Sequence, residues 1–508
     1  MGWVNIAELS DFTVVPEDED IIVMFNSIDV DAAKEREMKN WYDNEVFEEV
    51  ENVGQKAVSV RWVITEKTVN NSVITKARLV ARGFEENTLS MRKDSPTCTK
   101  ESIRLALSIA SCKKWEVNSI DVKAAYLQGN AINRDVYLKP PPEYFTGKFW
   151  KLKKTVYGLC DAGRAWYMRV NSELQSLSLK RCSLDPSLFL WYNNDCLSGI
   201  ICLYVDDFLW TGCHKFYTSI IVKLWDLFLI GSSSTKSFKY IGLNISTVDK
   251  GLSIDQYQYA SILEPIKLSH QRASCRTSDL SESEKSDYRA LLGQLNWLAT
   301  NTRPDVSYET TELSVNFNRA TVADMIRLNK LVSVAKSKHV KIVFPRVNSI
   351  EDCILECYAD SSFANLSDGG SQGGYVIFLR DSMGIRCPLL WQSRKIRRVV
   401  KSTLSAEALA LLDCAESAVF LSGIIREITG TSLDIYCVTD CKSLHDALQS
   451  SNTLEDRRLR IDLAVLRDML DRGEISKVSW VATSRQLADC LTKRGACAQR
   501  LLAAVSGN

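Results

Sequence analysis

Leu203-Tyr204-Val205-Asp206-Asp207-Phe208-Leu209 is the stretch on which the fold turns. Two adjacent carboxylates interrupt two apolar runs, residues 197–205 and 208–212, and both runs read as strands. Charge between buried strands is costly unless it is paired or binds a cation. A tight turn at Asp206-Asp207 puts both carboxylates at the tip of a hairpin. A further apolar strand, residues 116–122, carries Asp121 near its end. Three such carboxylates can hold hard divalent cations, for which oxygen-only ligands suit Mg²⁺, and paired ions of this kind serve phosphoryl transfer. The competing reading is a solvated Asp-Asp turn, the commoner setting for that dipeptide; the flanking apolar strands weigh against it.

Composition bounds the rest. The chain has 508 residues, with 63 Lys+Arg against 62 Asp+Glu, for a net charge of +1. At about 150 residues per domain the length predicts about three domains. Apolar residues at 45% and charged residues at 25% exclude a disordered, collagenous or disulfide-scaffold protein. With so little net charge, any grip on a polyanion must come from local basic patches. The 16 cysteines show no CxxC pair, and the 4 histidines are His214, His270, His339 and His445, which argues against a Cys/His zinc cluster and for reduced thiols. The acidic run Glu17-Asp18-Glu19-Asp20 is unlike a signal peptide. The apolar runs, such as 197–205, read as too short to span a bilayer, so a soluble, intracellular protein is expected.

Along the chain, residues 1–35 read as an acidic, poorly ordered lead-in. A helix is predicted over 32–50, with Met38, Trp41, Val46 and Phe47 as its apolar stripe. A two-stranded unit follows at 58–65 and 72–81. Helices are predicted at 101–112, 163–177, 217–229, 286–300 and 321–338, and one strand at 238–246. A break falls at 344–352. Beyond it come strands at 353–359, 374–379 and 389–393, a long helix at 405–426, a strand at 433–439 and helices at 441–449 and 457–472. A strand at 475–481 and a helix at 484–493 close the series. That succession is a mixed α/β domain with one sheet, and the fold class as a whole is α+β or mixed.

Tyr204-Val205-Asp206-Asp207 is similar to the signature of reverse transcriptases, and the surrounding motifs resemble the Pol polyprotein of copia-type LTR retrotransposons. They run in order through Val60-Arg61-Trp62-Val63, Lys76-Ala77-Arg78-Leu79-Val80-Ala81-Arg82-Gly83-Phe84 and Ser95-Pro96-Thr97. Asp121-Val122-Lys123-Ala124-Ala125-Tyr126-Leu127-Gln128-Gly129, Val156-Tyr157-Gly158-Leu159, Arg164-Ala165-Trp166 and Asp185-Pro186-Ser187-Leu188-Phe189 follow. Tyr240-Ile241-Gly242-Leu243 and Thr302-Arg303-Pro304-Asp305 complete the set. The resemblance implies a right-hand-like polymerase with fingers and palm over 36–270 and thumb or connection helices over 271–348, then a ribonuclease H-like α/β domain over 349–508. It implies that Asp121, Asp206 and Asp207 bind two Mg²⁺ ions, that Arg78 and Lys67 meet the incoming triphosphate, that Tyr126 is a steric gate against the ribose 2′-OH, and that Tyr157 lines the nucleotide pocket. For Tyr126 and Tyr157, plain core packing is the competing reading. One departure stands out: the family usually has Lys-Gln-Ala-Pro after Tyr-Gly-Leu, whereas this chain has Cys160-Asp161-Ala162-Gly163.

Four more acids recur in the C-terminal block. Asp360 and Asp440 end strands, Glu407 lies in the long helix, and Asp489 lies in the last predicted helix, in Leu487-Ala488-Asp489-Cys490-Leu491-Thr492-Lys493. Each alone is more often a cap or a surface charge. Together they resemble the copia-type ribonuclease H domain, which implies a second two-metal centre. The helix at 457–472 departs from that family, having Leu459, Ile461 and Leu463 where a His and aromatic residues are usual. Arg394, Lys395, Arg397, Arg398 and Lys401 form a basic patch suited to phosphate contacts. Weaker clusters are Arg164 with Arg169, and Lys330, Lys336, Lys338 and Lys341, the latter read as a solvated face.

The implied function is RNA-directed DNA synthesis with ribonuclease H cleavage of RNA–DNA hybrids. The implied cofactor is Mg²⁺, two ions per centre, with Mn²⁺ as the alternative ion. The implied partners are an RNA template, a DNA primer and product, the RNA–DNA hybrid, dNTPs and other Pol segments such as integrase, with no membrane. The implied location is the cytoplasm or virus-like particles, with access to the nucleus. The alternative is a catalytically decayed or domesticated retroelement remnant that only binds nucleic acid. An unrelated Mg²⁺ phosphohydrolase does not explain the ordered motifs.

Overall fold

The computed structural model describes residues 27–69, 72–86, 91–315, 317–450 and 456–507. Contacts divide the chain into two units. The first comprises the described residues of Met1–Cys98, Ser119–Arg181 and Pro186–Ser233. The second comprises those of Thr99–Asn118, Cys182–Asp185 and Ser234–Asn508, so the sequence-based boundaries at 270/271 and 348/349 both fall inside it.

In the first unit, a helix spans Ser27–Asp43, five residues earlier than predicted and overlapping the expected lead-in, of which residues 1–26 lie outside the described set. It does not reach 50: Glu45 takes a left-handed backbone with φ 49°, and Phe47–Val50 becomes an edge strand. The predicted stripe is nonetheless core, because Met38, Trp41 and Val46 are buried and the Phe47 ring stacks on Trp150 with centroids 4.2 Å apart. Five strands form one sheet in the order Phe47–Val50, Phe149–Leu152, Tyr137–Lys139, Val58–Val69, Ser72–Ala81. The last two pair antiparallel from Val60↔Ala81 to Val69↔Ser72, setting Arg78 opposite Val63.

A six-stranded sheet has the order Ile230–Thr235, Val117–Val122, Asp207–Gly212, Cys196–Tyr204, Leu188–Asn193, Lys180–Arg181. Its central position places the Asp121 strand beside the strand that starts at Asp207. Helix Ala162–Ser176 covers it through Trp166, Tyr167, Val170 and Leu174. The helix predicted over 217–229 is broken into His214–Phe216, a π-helical turn Tyr217–Ile221 and Val222–Leu227, and the strand Ile230–Thr235 after it was not predicted.

In the second unit, helix Lys100–Lys113 starts at Thr99, whose side chain accepts from Ser102 N, and ends at Lys114 with φ 55°. The strand predicted over 238–246 is two strands, Ser237–Tyr240 and Leu243–Val248. The chain turns between them at Ile241 and Gly242, both with positive φ (42° and 77°), as a two-residue hairpin turn requires. Gly251–Asp255 and Ile342–Pro345 complete this four-stranded sheet, so the expected break at 344–352 begins as a buried strand. Helices Glu282–Asn301 and Val322–Ser337, each opened by a capping box, pack through Tyr288, Leu295, Met325 and Leu328.

The C-terminal sheet has the order Arg386–Lys395, Gln372–Arg380, Ile354–Ser362, Ile435–Thr439, Lys477–Trp480. The first three strands are antiparallel; Ile435–Thr439 runs parallel to Ile354–Ser362 and to Lys477–Trp480. Helix Thr403–Thr429 packs on this sheet between a Ser402 cap and Gly430 at φ 80°. By length and composition it could cross a bilayer, contrary to the expectation that no run is long enough, but half of its most apolar window is buried inside the unit, as in a core helix. The helix predicted over 484–493 is two single turns, Thr483–Arg485 and Asp489–Leu491; the last helix is Gln499–Val505.

Candidate active sites

The hairpin carrying Asp206 is tightly held. Tyr204 pairs with Asp207, leaving Val205 and Asp206 in the turn. Val205 adopts φ 54°, a costly conformation for a β-branched residue. Its carbonyl accepts from Trp166 Nε1 at 2.7 Å, and the Asp206 carbonyl accepts from Val122 N at 3.0 Å. That second bond ties the Asp121 strand to the turn. A Cβ at Gly231 would lie 2.6 Å from Asp121 Oδ2, so glycine leaves room for this carboxylate. Burial pushes the Asp206 carboxyl above its usual range and the nearby Asp121 charge pushes the same way, while Arg78 and Lys76 oppose.

Arg78, Tyr126 and Tyr157 cluster within the same unit, with Arg78 and Tyr157 in electrostatic reach of Asp206. Ala81 N donates to the Tyr157 carbonyl at 2.8 Å. Gly158 follows at φ +90°, where a Cβ would stand 2.0 Å from the Ala81 carbonyl oxygen. Only glycine permits that approach, and it sets Tyr157 against the hairpin that carries Arg78. The Arg78 guanidinium lies over the Tyr157 ring at 5.4 Å, and the Tyr126 ring meets Tyr157 edge-on at 5.1 Å. Lys67 lies on strand Val58–Val69, and its side chain is outside the described set.

In the C-terminal block, Asp360 lies on the central strand, Glu407 one turn into the long helix, and Asp440 just past the end of Ile435–Thr439. Each offers an oxygen within 4.8 Å of the other two. They line a cavity of about 410 Å³ with Ser361, Thr403, Cys441, Thr483 and Lys493. Glu407 Oε1 accepts from Ser361 N at 3.2 Å and Ser361 Oγ at 2.9 Å. Burial and the Asp360 charge push the Glu407 carboxyl up to about 8. Burial pushes Asp360 up to about 6, with Lys493 and a hydrogen bond from Thr492 Oγ1 opposing.

The seven predicted acids therefore do not form two equally closed sets. Among the described residues, Asp360, Glu407 and Asp440 are the group with oxygens within 4.8 Å; Asp121, Asp206 and Asp207 are spaced more widely, and Asp489 stands outside the trio. Asp489 is instead bound by Lys493 Nζ at 2.5 Å, and the same ammonium lies 3.4 Å from Asp360 Oδ2.

Residues 44–277 match the family described as reverse transcriptase (RNA-dependent DNA polymerase). This part of the chain is similar to reverse transcriptase domains. The match takes in Arg78, Asp121, Tyr126, Tyr157, Asp206 and Asp207. The similarity of the whole chain extends further. It is 27% identical over 463 residues to the Retrovirus-related Pol polyprotein from transposon RE1 of Arabidopsis thaliana, covering 86% of this chain and 30% of that protein. It is 25% identical to the polyprotein from transposon TNT 1-94 of Nicotiana tabacum, covering 91% of this chain and 36% of that protein. The Transposon Ty1-LR2 Gag-Pol polyprotein of Saccharomyces cerevisiae is 23% identical over 90% of this chain. The chain thus spans about a third of the length of these relatives. Among solved structures, RNase H1 from Halobacterium salinarum is 20% identical over 27% of this chain and 92% of its own, with a TM-score of 0.21. LC11-RNase H1 in complex with RNA/DNA hybrid is 17% identical over 27% of this chain and 92% of its own, with a TM-score of 0.22.

Two features of the first unit were not legible as site components. Glu37, on helix Ser27–Asp43, is a buried carboxylate that accepts from Trp41 Nε1 at 3.3 Å and Asn40 Nδ2 at 3.4 Å; burial raises its pKa, and Arg78 opposes. Asp161, the acid that departs from the family pattern, is paired with Arg134 through bonds of 2.5 and 3.0 Å, and Arg134 also binds Glu86. The departure is thus accommodated by a charge pair that no local motif announces.

The basic patch is largely neutralised. Arg394 pairs with Asp413 at 2.5 Å, Lys395 with Asp368, and Arg398 with the buried Asp462. Arg397 and Lys401 are exposed. The expected five-residue patch reduces to two cations with no side-chain ion pair among the described residues, because its partners come from distant parts of the chain.

Proposed function

We propose that this chain carries the polymerase and hybrid-cleaving activities of a copia-type Pol polyprotein. It would copy RNA into DNA at the first site and cut the RNA of RNA–DNA hybrids at the second. The observation that carries the reading is the cluster of Arg78, Tyr126 and Tyr157, with Arg78 and Tyr157 in electrostatic reach of Asp206, inside the segment that matches the reverse transcriptase family. The oxygen trio Asp360, Glu407 and Asp440 supports the second activity. Fingers and palm are assigned to 36–270, thumb to 271–348 and the nuclease to 349–508.

In this reading Arg78 binds the triphosphate of a dNTP. Tyr126, braced edge-on by Tyr157, stands where a ribose 2′-OH would clash. Asp121, Asp206 and Asp207 face the primer 3′-OH and the α-phosphate. At the second site Ser361 and Thr492 fix the carboxylates of Glu407 and Asp360. The trio fits Mg²⁺, since its donors are all hard oxygens crowded enough to favour a divalent counter-charge. When bound, the metal ions would polarise phosphoryl oxygens and acidify water. Arg397 and Lys401 would contact the hybrid backbone. Template RNA, primer DNA and dNTPs are the proposed partners, and cytoplasmic virus-like particles the proposed location.

Primer extension on poly(rA)/oligo(dT) with Mg²⁺, beside Asp206→Ala, tests the polymerase. Wild type should extend and the variant should not; equal extension would refute the assignment. Glu407→Gln should abolish hybrid cleavage while extension persists. A wild type that binds hybrid but neither extends nor cleaves would favour the remnant reading.

A further inference from the structure

We propose that Lys493 is a built-in counter-cation of the second site, occupying its carboxylates in the metal-free state and setting a weak, displaceable affinity for divalent metal. The inference rests on the reading of Asp360, Glu407 and Asp440 as metal ligands. Its own basis is separate. The Lys493 ammonium lines the cavity that these three carboxylates line. It lies 2.5 Å from Asp489 and 3.4 Å from Asp360 Oδ2. Thr492 Oγ1 donates to that same Asp360 oxygen. Two consecutive residues therefore engage the oxygen that a metal would need.

The segment is fixed in place rather than draped there. Gln486 Nε2 donates to the Ala359 carbonyl at 2.8 Å, and Ser362 Oγ donates to the Thr492 carbonyl at 2.6 Å. Both bonds anchor it to the strand that carries Asp360, so Lys493 is delivered to the site by backbone geometry. A divalent ion arriving at Asp360 meets a positive charge already on its ligand and must drive the ammonium away. The same displacement frees Asp489, which Lys493 now holds outside the trio. Lys493 would thus couple metal entry to recruitment of the fourth acid.

Calorimetric titration of the full chain with Mn²⁺, in an Asp206→Asn background that weakens the first site, tests this. Lys493→Gln should bind Mn²⁺ roughly tenfold more tightly, the order expected when a half-exposed unit charge beside a divalent ion is removed. Lys493→Arg, which keeps the charge, should bind no tighter than its parent. A second measurement needs no variant. Acylation of Lys493 by an amine-reactive ester, read by mass spectrometry, should proceed several-fold faster with Mg²⁺ than with EDTA. Unchanged affinity in Lys493→Gln with Mn²⁺ binding that Asp360→Asn removes, or unchanged acylation, would overturn the role of Lys493 alone. Mn²⁺ binding indifferent to Asp360→Asn would overturn the metal reading itself, and the proposal with it.

Discussion

Replacing Glu407 by Gln in metal-free protein should flatten the pH dependence of stability. Glu407 is buried beside Asp360, and its carboxyl is pushed from 4.5 up to about 8. A carboxyl whose native value lies above its unfolded value holds more protons folded than unfolded between the two. Stability therefore falls as pH rises through that window, here from about 4.5 to about 8. At about 1.4 kcal/mol per pH unit the ceiling is about 5 kcal/mol. Asp360 shares the repulsion, so one proton relieves both groups, and a loss on the order of 3 kcal/mol between pH 5 and pH 8 is the working figure. For a unit of this size that corresponds to roughly 5–10 °C in melting temperature. The assay is thermal unfolding in EDTA at pH 5, 6.5 and 8, for wild type and Glu407→Gln. Gln keeps an oxygen for the Ser361 bonds and cannot ionise, so its melting temperature should fall less over the range. The difference between the two slopes separates the Glu407–Asp360 pair from titrations elsewhere in the chain. Parallel slopes, or a wild type that gains stability relative to the variant as pH rises, would refute the reasoning.

Gly158→Ala should raise the KM for dNTP about tenfold with a smaller change in template affinity, since a left-handed alanine costs roughly 1–2 kcal/mol and its Cβ would stand 2.0 Å from the Ala81 carbonyl oxygen; steady-state extension kinetics decide it. Arg134→Ala should destabilise the first unit by about 1–3 kcal/mol by leaving Asp161 and Glu86 without their cation, and adding Asp161→Ala should recover part of the loss in a urea double-mutant cycle. Arg104→Ala should cost the second unit about 3–5 kcal/mol in denaturant melts. That side chain is buried over the Trp391 ring at 3.8 Å and donates to the carbonyls of Leu389, Thr300 and Asn301, geometry that Lys cannot reproduce.

Legibility followed the kind of force that makes each element. Strand Ser72–Ala81 and helix Lys100–Lys113 lie within a residue of their predicted bounds, because β-branched composition and an N-cap are written locally. Strand Ile230–Thr235 was invisible: its Gly-Ser-Ser-Ser-Thr run is exposed and owes its conformation to pairing at a sheet edge. Residues 238–246 read as one strand because the Ile241-Gly242 turn contains a β-branched residue at φ 42°, which composition argues against. The predicted helix at 484–493 failed for a related reason. The Gln486 side chain donates to the Ala359 carbonyl and the Thr492 carbonyl accepts from Ser362 Oγ, so the segment is tied to strand Ile354–Ser362 instead of closing a continuous ladder.

Asp121, Asp206 and Asp207 were legible because they interrupt apolar sequence, where a charge demands an explanation, whereas Asp360, Glu407, Asp440 and Asp489 were legible only through the family resemblance. Their counter-cations were not, because pairing is decided by proximity in the fold, across separations that run from 4 residues for Lys493–Asp489 to 133 for Lys493–Asp360. The patch at Arg394–Lys401 shows the consequence: counted along the chain it is five cations, yet Asp413, Asp368 and Asp462 remove three of them. The two sites also meet carboxylate crowding differently. At the Asp206 turn, spacing and the Arg78 charge limit the repulsion, and Val205 in the same turn holds a strained backbone. At Asp360 the carboxylates are drawn together, and a resident ammonium carries the opposing charge. A site of the first kind can accept cations arriving with a substrate's phosphates without displacing a side chain. A site of the second kind must exchange one cation for another. Metal dependence should therefore be steeper for hybrid cleavage than for primer extension, and Lys493→Gln should bring the two metal dependences closer together.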